Sequence, residues 1–241
     1  MGTPRDVVEK DYVLGWVLWG IGSDPTLSTS WAFKGGTCLK KCFLETYRFS
    51  EDLDFSVLPN GPIKPDDVLP LLPDVLQRIS NETGIDFTRE APKLKYNEKW
   101  GYTEGRIYYI GPRQTPTAAS IILDLNAREQ VVRPTVLKKI GHSYPDSLPD
   151  PGNVRCYSFE ELFAEKIRAM GERGRPRDLY DIINLYRHDD LQTQAATVRQ
   201  ILAEKCQTKG IPVPTLKAIM EAPDQRQLNF PRIDSSILLP K

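Results

Sequence analysis

The chain has 241 residues, enough for one large domain or two small ones with a core that needs no staples. Lysine plus arginine equals aspartate plus glutamate at 32 each, so no global charge demands a nucleic acid or a membrane surface, and only a local basic face could serve one. The four cysteines, Cys38, Cys42, Cys156 and Cys206, form no CxxC pair and have no histidine nearby at zinc-ligand spacing, which fits a reduced, cytoplasmic protein.

Residues 4–21 read as a helix with Val8, Tyr12 and Leu18 near one face, ending in a turn through Gly22, Asp24 and Pro25. Its stretch YVLGWVLWGIG is uncharged but too short to span a bilayer, so it is expected as a buried helix and not as a signal or membrane segment. The start MGTPRD lacks the Ser or Thr at position six of a myristoylation signal, so no lipid anchor is expected. Trp31 to Lys34 then reads as a strand, Thr37 to Glu45 as a helix and Asp52 to Leu58 as a second strand. After a proline-rich connector, Asp66 to Ser80 is expected as a helix, followed by strands at Ile85 to Arg89, Arg106 to Ile110 and Ala118 to Asn126. From Phe159 onward the periods are helical, over 159–173, 177–187, 194–206 and 214–221. The segment 141–158, rich in Pro, Gly, Asp and Ser, is the candidate boundary. The expected architecture is α+β: a mixed sheet flanked by helices over residues 1–150, then a helical C-terminal region over 151–241.

Chemistry concentrates at FKGGTCLKKCFLETYRFSEDLDF, residues 33–55. Gly35 and Gly36 stand between a strand and a helix, where the missing Cβ permits a tight turn and close approach of backbone N–H groups to a ligand. The helix that follows offers unpaired N–H groups to an anion, and Thr37 adds a hydroxyl. Asp52 and Asp54 are alternate residues of one strand, on one face and about 6.6 Å apart at Cα. Two like charges so placed repel unless a cation intervenes, and Mg²⁺ or Mn²⁺ takes a few carboxylates with water and phosphate oxygens. Asp124, which interrupts the apolar run SIILDLN, is the candidate third carboxylate, as metal ligand or base. Cys38 and Cys42, four apart on the intervening helix, are read as small core side chains with no chemistry assigned.

KGGTCLKK (Lys34 to Lys41) followed by RFSEDLDFS (Arg48 to Ser56) resembles the signature of the AbiEii/AbiGii-type nucleotidyltransferases, toxins of abortive-infection and toxin–antitoxin systems that include the MenT toxins. EKDYVLGWVL, from Glu9, is similar to the helix that precedes that signature. The resemblance implies a core like that of DNA polymerase β and its nucleotidyltransferase relatives. It further implies an NTP donor and a divalent metal, with Lys34, Gly35, Gly36 and Thr37 at the nucleotide and Asp52 and Asp54 at the metal, which Asp124 is expected to join. Ser50 is either a nucleotide contact, a phosphorylation site or a turn residue.

On a helical wheel of 159–173, Phe159, Leu162, Phe163, Ile167 and Met170 form an apolar stripe, with Glu160, Glu161, Glu165, Arg168 and Glu172 opposite. Lys166 and Arg173 fall inside the stripe, so each either snorkels to solvent or faces an anionic site. Past Gly174 and Pro176, Asp178 lies at the margin of the next apolar stripe, and Asp181 lies toward the polar side, in reach of Arg177. This segment resembles the family's downstream motif of a Lys, an Arg and then Arg-Asp-x-x-Asp. The resemblance implies that Lys166 contacts triphosphate, counts Arg173 among the nucleotide ligands, and makes Asp178 or Asp181 essential.

The resemblance also implies a tRNA 3′ end as acceptor and a protein antitoxin as partner. Residues 166–187 carry six basic and three acidic side chains, a modest face for phosphate. A small-molecule nucleotidyltransferase of the antibiotic-modifying kind and a nucleotide-binding interaction protein without turnover remain the alternatives.

Overall fold

The computed structural model describes residues 4–44, 48–187, 195–215 and 217, and its chain divides into two compact units, Met1–Tyr157 and Ser158–Lys241. In the first unit the order is α1 (Arg5–Ser23), α2 (Leu27–Ser30), β1 (Trp31–Lys34), α3 (Gly35–Cys42), β2 (Asp52–Val57), α4 (Pro65–Val68), α5 (Leu72–Thr83), β3 (Lys93–Asn97), β4 (Tyr102–Tyr109), β5 (Ala119–Asn126), β6 (Val136–Lys139) and β7 (Asn153–Cys156). The seven strands form one mixed sheet in the order β3-β4-β5-β2-β1-β7-β6. Antiparallel β1 and β2 are joined through α3, whereas β2 and β5 lie parallel. Parallel neighbours need a long crossover, and the chain between them supplies α4, α5, β3 and β4.

One face of the central strands is core: Phe33, Leu53, Phe55, Ile121, Leu123 and Leu125 are fully buried. The rings of Phe33 and Phe55, which are register partners, stack at 5.1 Å. Burial alternates from Asp52 to Phe55 of β2 and along β5, as the period of two requires when one face is packed and the other is not.

The uncharged C-terminal half of α1 is buried around its whole circumference from Val13 to Ile21. At Gly22 a Cβ would stand 2.2 Å from the Asn153 carbonyl oxygen, so only glycine lets the helix meet β7 so closely. Its polar tips reach the segment 141–150. Tyr12 donates to Asp146 at 2.7 Å and the Trp19 indole N–H donates to the Pro149 carbonyl at 3.0 Å. That Pro- and Asp-rich segment is therefore fastened along a helix, and the sheet takes up β7 after it.

Several expected elements differ. The helix expected over 66–80 is two, α4 and α5, because Pro70 and Pro73 have no N–H to donate and the i to i−4 ladder is interrupted between them. Ile85 to Arg89 makes a single bridge, Asp86 to Ile110, instead of a strand. β3, β6 and β7 are strands where none was expected: β6 and β7 have four residues each, too few to show a period, and β3 alternates lysine with apolar residues at the sheet edge. β4 begins four residues earlier than expected; Gly105 sits inside it because Leu94 fills the space a side chain would need, 2.3 Å from its would-be Cβ. The helix expected over Thr37 to Glu45 runs from Gly35 to Cys42; Glu45 itself, the start of the third C-terminal helix at Gln194, and most of 214–221 lie outside the described residues.

The second unit begins with α6 (Phe159–Arg173), capped by Ser158, whose hydroxyl accepts the Glu161 N–H at 3.3 Å. Gly174 closes it at φ 58, and Pro176 opens α7 (Pro176–Tyr186). α8 (Ala195–Lys209) packs on α6 and covers much of the side expected to be polar. Glu161 is fully buried there against Lys205 at 3.0 Å, and Arg168 is buried between Glu165 and Glu172. Among the described residues no helix is long and apolar enough to cross a membrane.

Candidate active site

Lys34, Asp54, Asp124, Glu104 and Lys95 are successive register partners across β1, β2, β5, β4 and β3. Partners in register share a face, as do residues two apart, so Asp52 and Tyr102 join the row on the side away from the phenylalanine core. The non-local pairing of β2 with β5 thus brings Asp52, Asp54 and Asp124 to neighbouring positions on strands about 4.8 Å apart. All three are half-buried.

Their crowding is visible in Asp124. Burial pushes its carboxyl above the usual range, the Tyr102 hydroxyl that donates to Oδ1 at 2.6 Å opposes this, and the Asp52 and Glu104 carboxylates push it higher while Lys34 pulls it down. Burial and the same hydrogen bond to Asp124 raise the Tyr102 phenol. Tyr102 and Glu104 precede the strand expected from Arg106, although the alternation Tyr102, Glu104, Arg106 extends it to Tyr102. Carboxylate oxygens gathered in this way suit a hard divalent cation, which would relieve the repulsion.

The glycine turn is built around one of these acids. Gly35 opens α3 at φ +79, and a Cβ on it would lie 2.3 Å from Asp54 Oδ2, so glycine is needed for the backbone and for the carboxylate alike. Against Gly36 lie the Arg48 guanidinium, 3.0 Å from its would-be Cβ, and the Ser50 hydroxyl at 3.2 Å. Ser50 therefore stands beside the start of α3, and Arg48 is a further cation there that was not singled out. Thr37, expected as a hydroxyl donor to phosphate, is fully buried and donates to the Asp52 carbonyl at 2.6 Å, clasping helix to strand. Lys34 forms an ion pair with the nearly buried Glu129. Glu129 is placed by the turn after β5, where Asn126 Oδ1 accepts the N–H groups of Arg128 and Glu129.

The second unit holds the other group of candidates. Lys166 Nζ lies 2.8 Å from Asp181 and 3.9 Å from Asp178, and Arg173 forks onto Asp178 with bonds of 2.8 and 2.9 Å. Asp178 and Asp181 are both fully buried. Asp181, expected toward the polar side with Arg177, instead faces inward. The cations in the apolar stripe of α6 thus meet an anionic pair supplied by α7.

A glycine turn at a helix start beside convergent strand carboxylates, on a mixed sheet flanked by helices, defines a nucleotidyltransferase. The chain belongs to the family described as "Nucleotidyl transferase AbiEii toxin, Type IV TA system", whose model matches residues 16–236. It is an NTP-dependent nucleotidyltransferase and a toxin of a type IV toxin–antitoxin system, and that membership implies an antitoxin partner. Its fold is similar to that of MenT4, the nucleotidyltransferase toxin Rv2826c of Mycobacterium tuberculosis H37Rv, with a TM-score of 0.59 at 19% identity over 90% of this chain and 72% of that one. An antigenic nucleotidyltransferase-like protein from Paracoccidioides brasiliensis aligns over 88% of this chain and 96% of its own at 16% identity, with a TM-score of 0.42. No curated protein matches the sequence.

Gly35→Ala is expected to lower the melting temperature by about 2–8 °C, from the ~1–2 kcal/mol of a left-handed non-glycine backbone, and to abolish nucleotide transfer by displacing Asp54. A melt and an activity assay on one preparation check both. Lys166→Met leaves two buried carboxylates short of a cation and is expected to cost about 3–5 kcal/mol by denaturant titration, part of which returns in Lys166→Met with Asp181→Asn.

Proposed function

We propose that the chain transfers a nucleoside monophosphate from an NTP to the 3′ end of tRNA in the cytoplasm, with Mg²⁺ (or Mn²⁺) held by Asp52, Asp54 and Asp124. The observation that carries this reading is the convergence of the three carboxylates beside Gly35, on which a cation and a triphosphate can meet. The backbone N–H groups of Gly36 and Thr37 at the start of α3 bind phosphate oxygens, with Lys34, Arg48 and Ser50 at the edges. Lys34 exchanges Glu129 for phosphate as the donor arrives. A bound divalent cation supplies positive charge to the phosphate oxygens and acidifies the acceptor hydroxyl. Asp124 takes the proton of that hydroxyl, whose oxygen bonds to the α-phosphorus as the bond to the β-phosphate oxygen breaks and pyrophosphate leaves. Tyr102 holds the Asp124 carboxyl in orientation and keeps it ionised, so that most of the catalysis is positioning and electrostatics.

The reading of an RNA acceptor is supported by the surface of the α6–α7 hairpin. Asp178 and Asp181 are buried, while Arg173, Arg175, Arg177 and Arg187 are exposed beside the single exposed acid Glu172. The buried charges, Lys166 and Arg168 against Asp178 and Asp181, cancel, so the basic excess of the sequence is carried on the exposed face. Lys166 and Arg173 enter the proposal first as the cations that fix the α6–α7 motif. A triphosphate contact of Lys166 is tested by Lys166→Arg, which keeps the charge: a raised KM for NTP with an unchanged melt supports it.

Incubation with Mg²⁺, each α-labelled NTP in turn and total tRNA is expected to label tRNA with a preferred nucleotide, and Asp52→Ala is expected to reduce incorporation at least ~100-fold. Undiminished labelling by Asp52→Ala overturns the metal assignment, and label on no RNA overturns the acceptor. Tyr102→Phe removes the hydroxyl that lowers the proton affinity of Asp124. The acid limb of the pH–rate profile is therefore expected to move to higher pH, with the plateau retained.

A further inference from the structure

Of the four cysteines in the chain, three meet. The sulfurs of Cys38 and Cys42, one turn apart on α3, and of Cys156, the last residue of β7, all lie within 4.8 Å of one another. Cys38 and Cys156 are fully buried, and Cys42 is half-buried. Core packing alone asks of each cysteine only that it fill space. It does not require three polarisable donors from two separate elements to converge on one point.

We propose that Cys38, Cys42 and Cys156 form a three-thiolate site for Zn²⁺, separate from the carboxylate site. Soft thiolate donors select thiophilic ions, and the chain offers here the i, i+4 helical pair plus a strand residue that a closed three-point grip needs. Charge favours Zn²⁺ over Cu⁺. Three thiolates around Zn²⁺ carry one net negative charge, and Lys138 on β6 supplies the matching positive one; its side chain shares a sheet face with Cys156 and bears electrostatically on Cys42 and Cys156. Around Cu⁺ a second negative charge would be left over.

The ion has a route. Cys42 lines a cavity of about 640 Å³ whose walls include Lys40, Lys41, Phe49, Lys139 and His142, so water or an incoming thiol can occupy the fourth position. On binding, each thiol gives its proton to solvent and three sulfur–zinc bonds form, with no change of oxidation state. The site ties the C-terminal end of α3 directly to β7, beside the bond from the Gly141 N–H to the Lys41 carbonyl at 2.6 Å. It thereby braces the helix whose other end bears Gly35.

The test is Co²⁺ titration of the reduced, metal-free full-length protein, followed by Zn²⁺ competition and elemental analysis. Thiolate-to-cobalt charge transfer in the near ultraviolet, bleached by one equivalent of Zn²⁺, is expected; carboxylate sites give no such band. Cys42→Ser and Cys156→Ser are expected to weaken Zn²⁺ binding about 100-fold or more, while Cys206→Ser leaves it unchanged. Because Cys38 is fully buried, Cys38→Ala is used only if its circular dichroism matches the parent. Absence of the band, or a band that persists in both Cys42→Ser and Cys156→Ser, overturns the site. Nucleotide transfer by the Asp52→Ala protein plays no part in the readout, so failure of the catalytic reading leaves this result standing.

Discussion

Mutual repulsion of Asp52, Asp54 and Asp124 is the constraint around which the first unit is arranged. Like charges on neighbouring strands oppose sheet formation, and the pairing of β2 with β5 persists because the other face of the same strands buries Leu53, Phe55, Leu123 and Leu125. The hydrophobic face holds the strands in a register that the polar face resists.

The neighbours of the acids follow from that arrangement. Gly35 gives Asp54 room, Tyr102 tempers Asp124, and Lys34 lies one strand over with its own carboxylate partner in Glu129. The second unit handles charge in the opposite manner. There the buried Asp178 and Asp181 are neutralised by Lys166 and the partly exposed Arg173, and Arg175, Arg177 and Arg187 face solvent.

Local signals in the sequence reached β1, β2, β5, α6 and α7 because each has a clear period or a glycine or proline at its end. The alternation in RFSEDLDF showed that Asp52 and Asp54 share a face. It could not show that Asp124 stands directly beside Asp54, since that depends on a parallel pairing seventy residues apart. For the same reason Cys38 and Cys42 looked like packing alone: the third sulfur arrives on β7, a strand too short to announce itself. Asp181 was misread because a wheel gives the direction of a side chain and not what covers it. α8, far along the chain, likewise buries Glu161 and Arg168 on a side of α6 that looked polar.

The clasp from the Thr37 hydroxyl to the Asp52 carbonyl has a dynamic meaning. It joins the first turn of α3 to the first residue of β2, so the N–H groups that would receive phosphate and the carboxylates that would receive a cation belong to one rigid body. Thermal motion then carries both together and hardly alters the gap between them, so a donor meets a surface whose internal geometry is already set and loses little configurational freedom in ordering it.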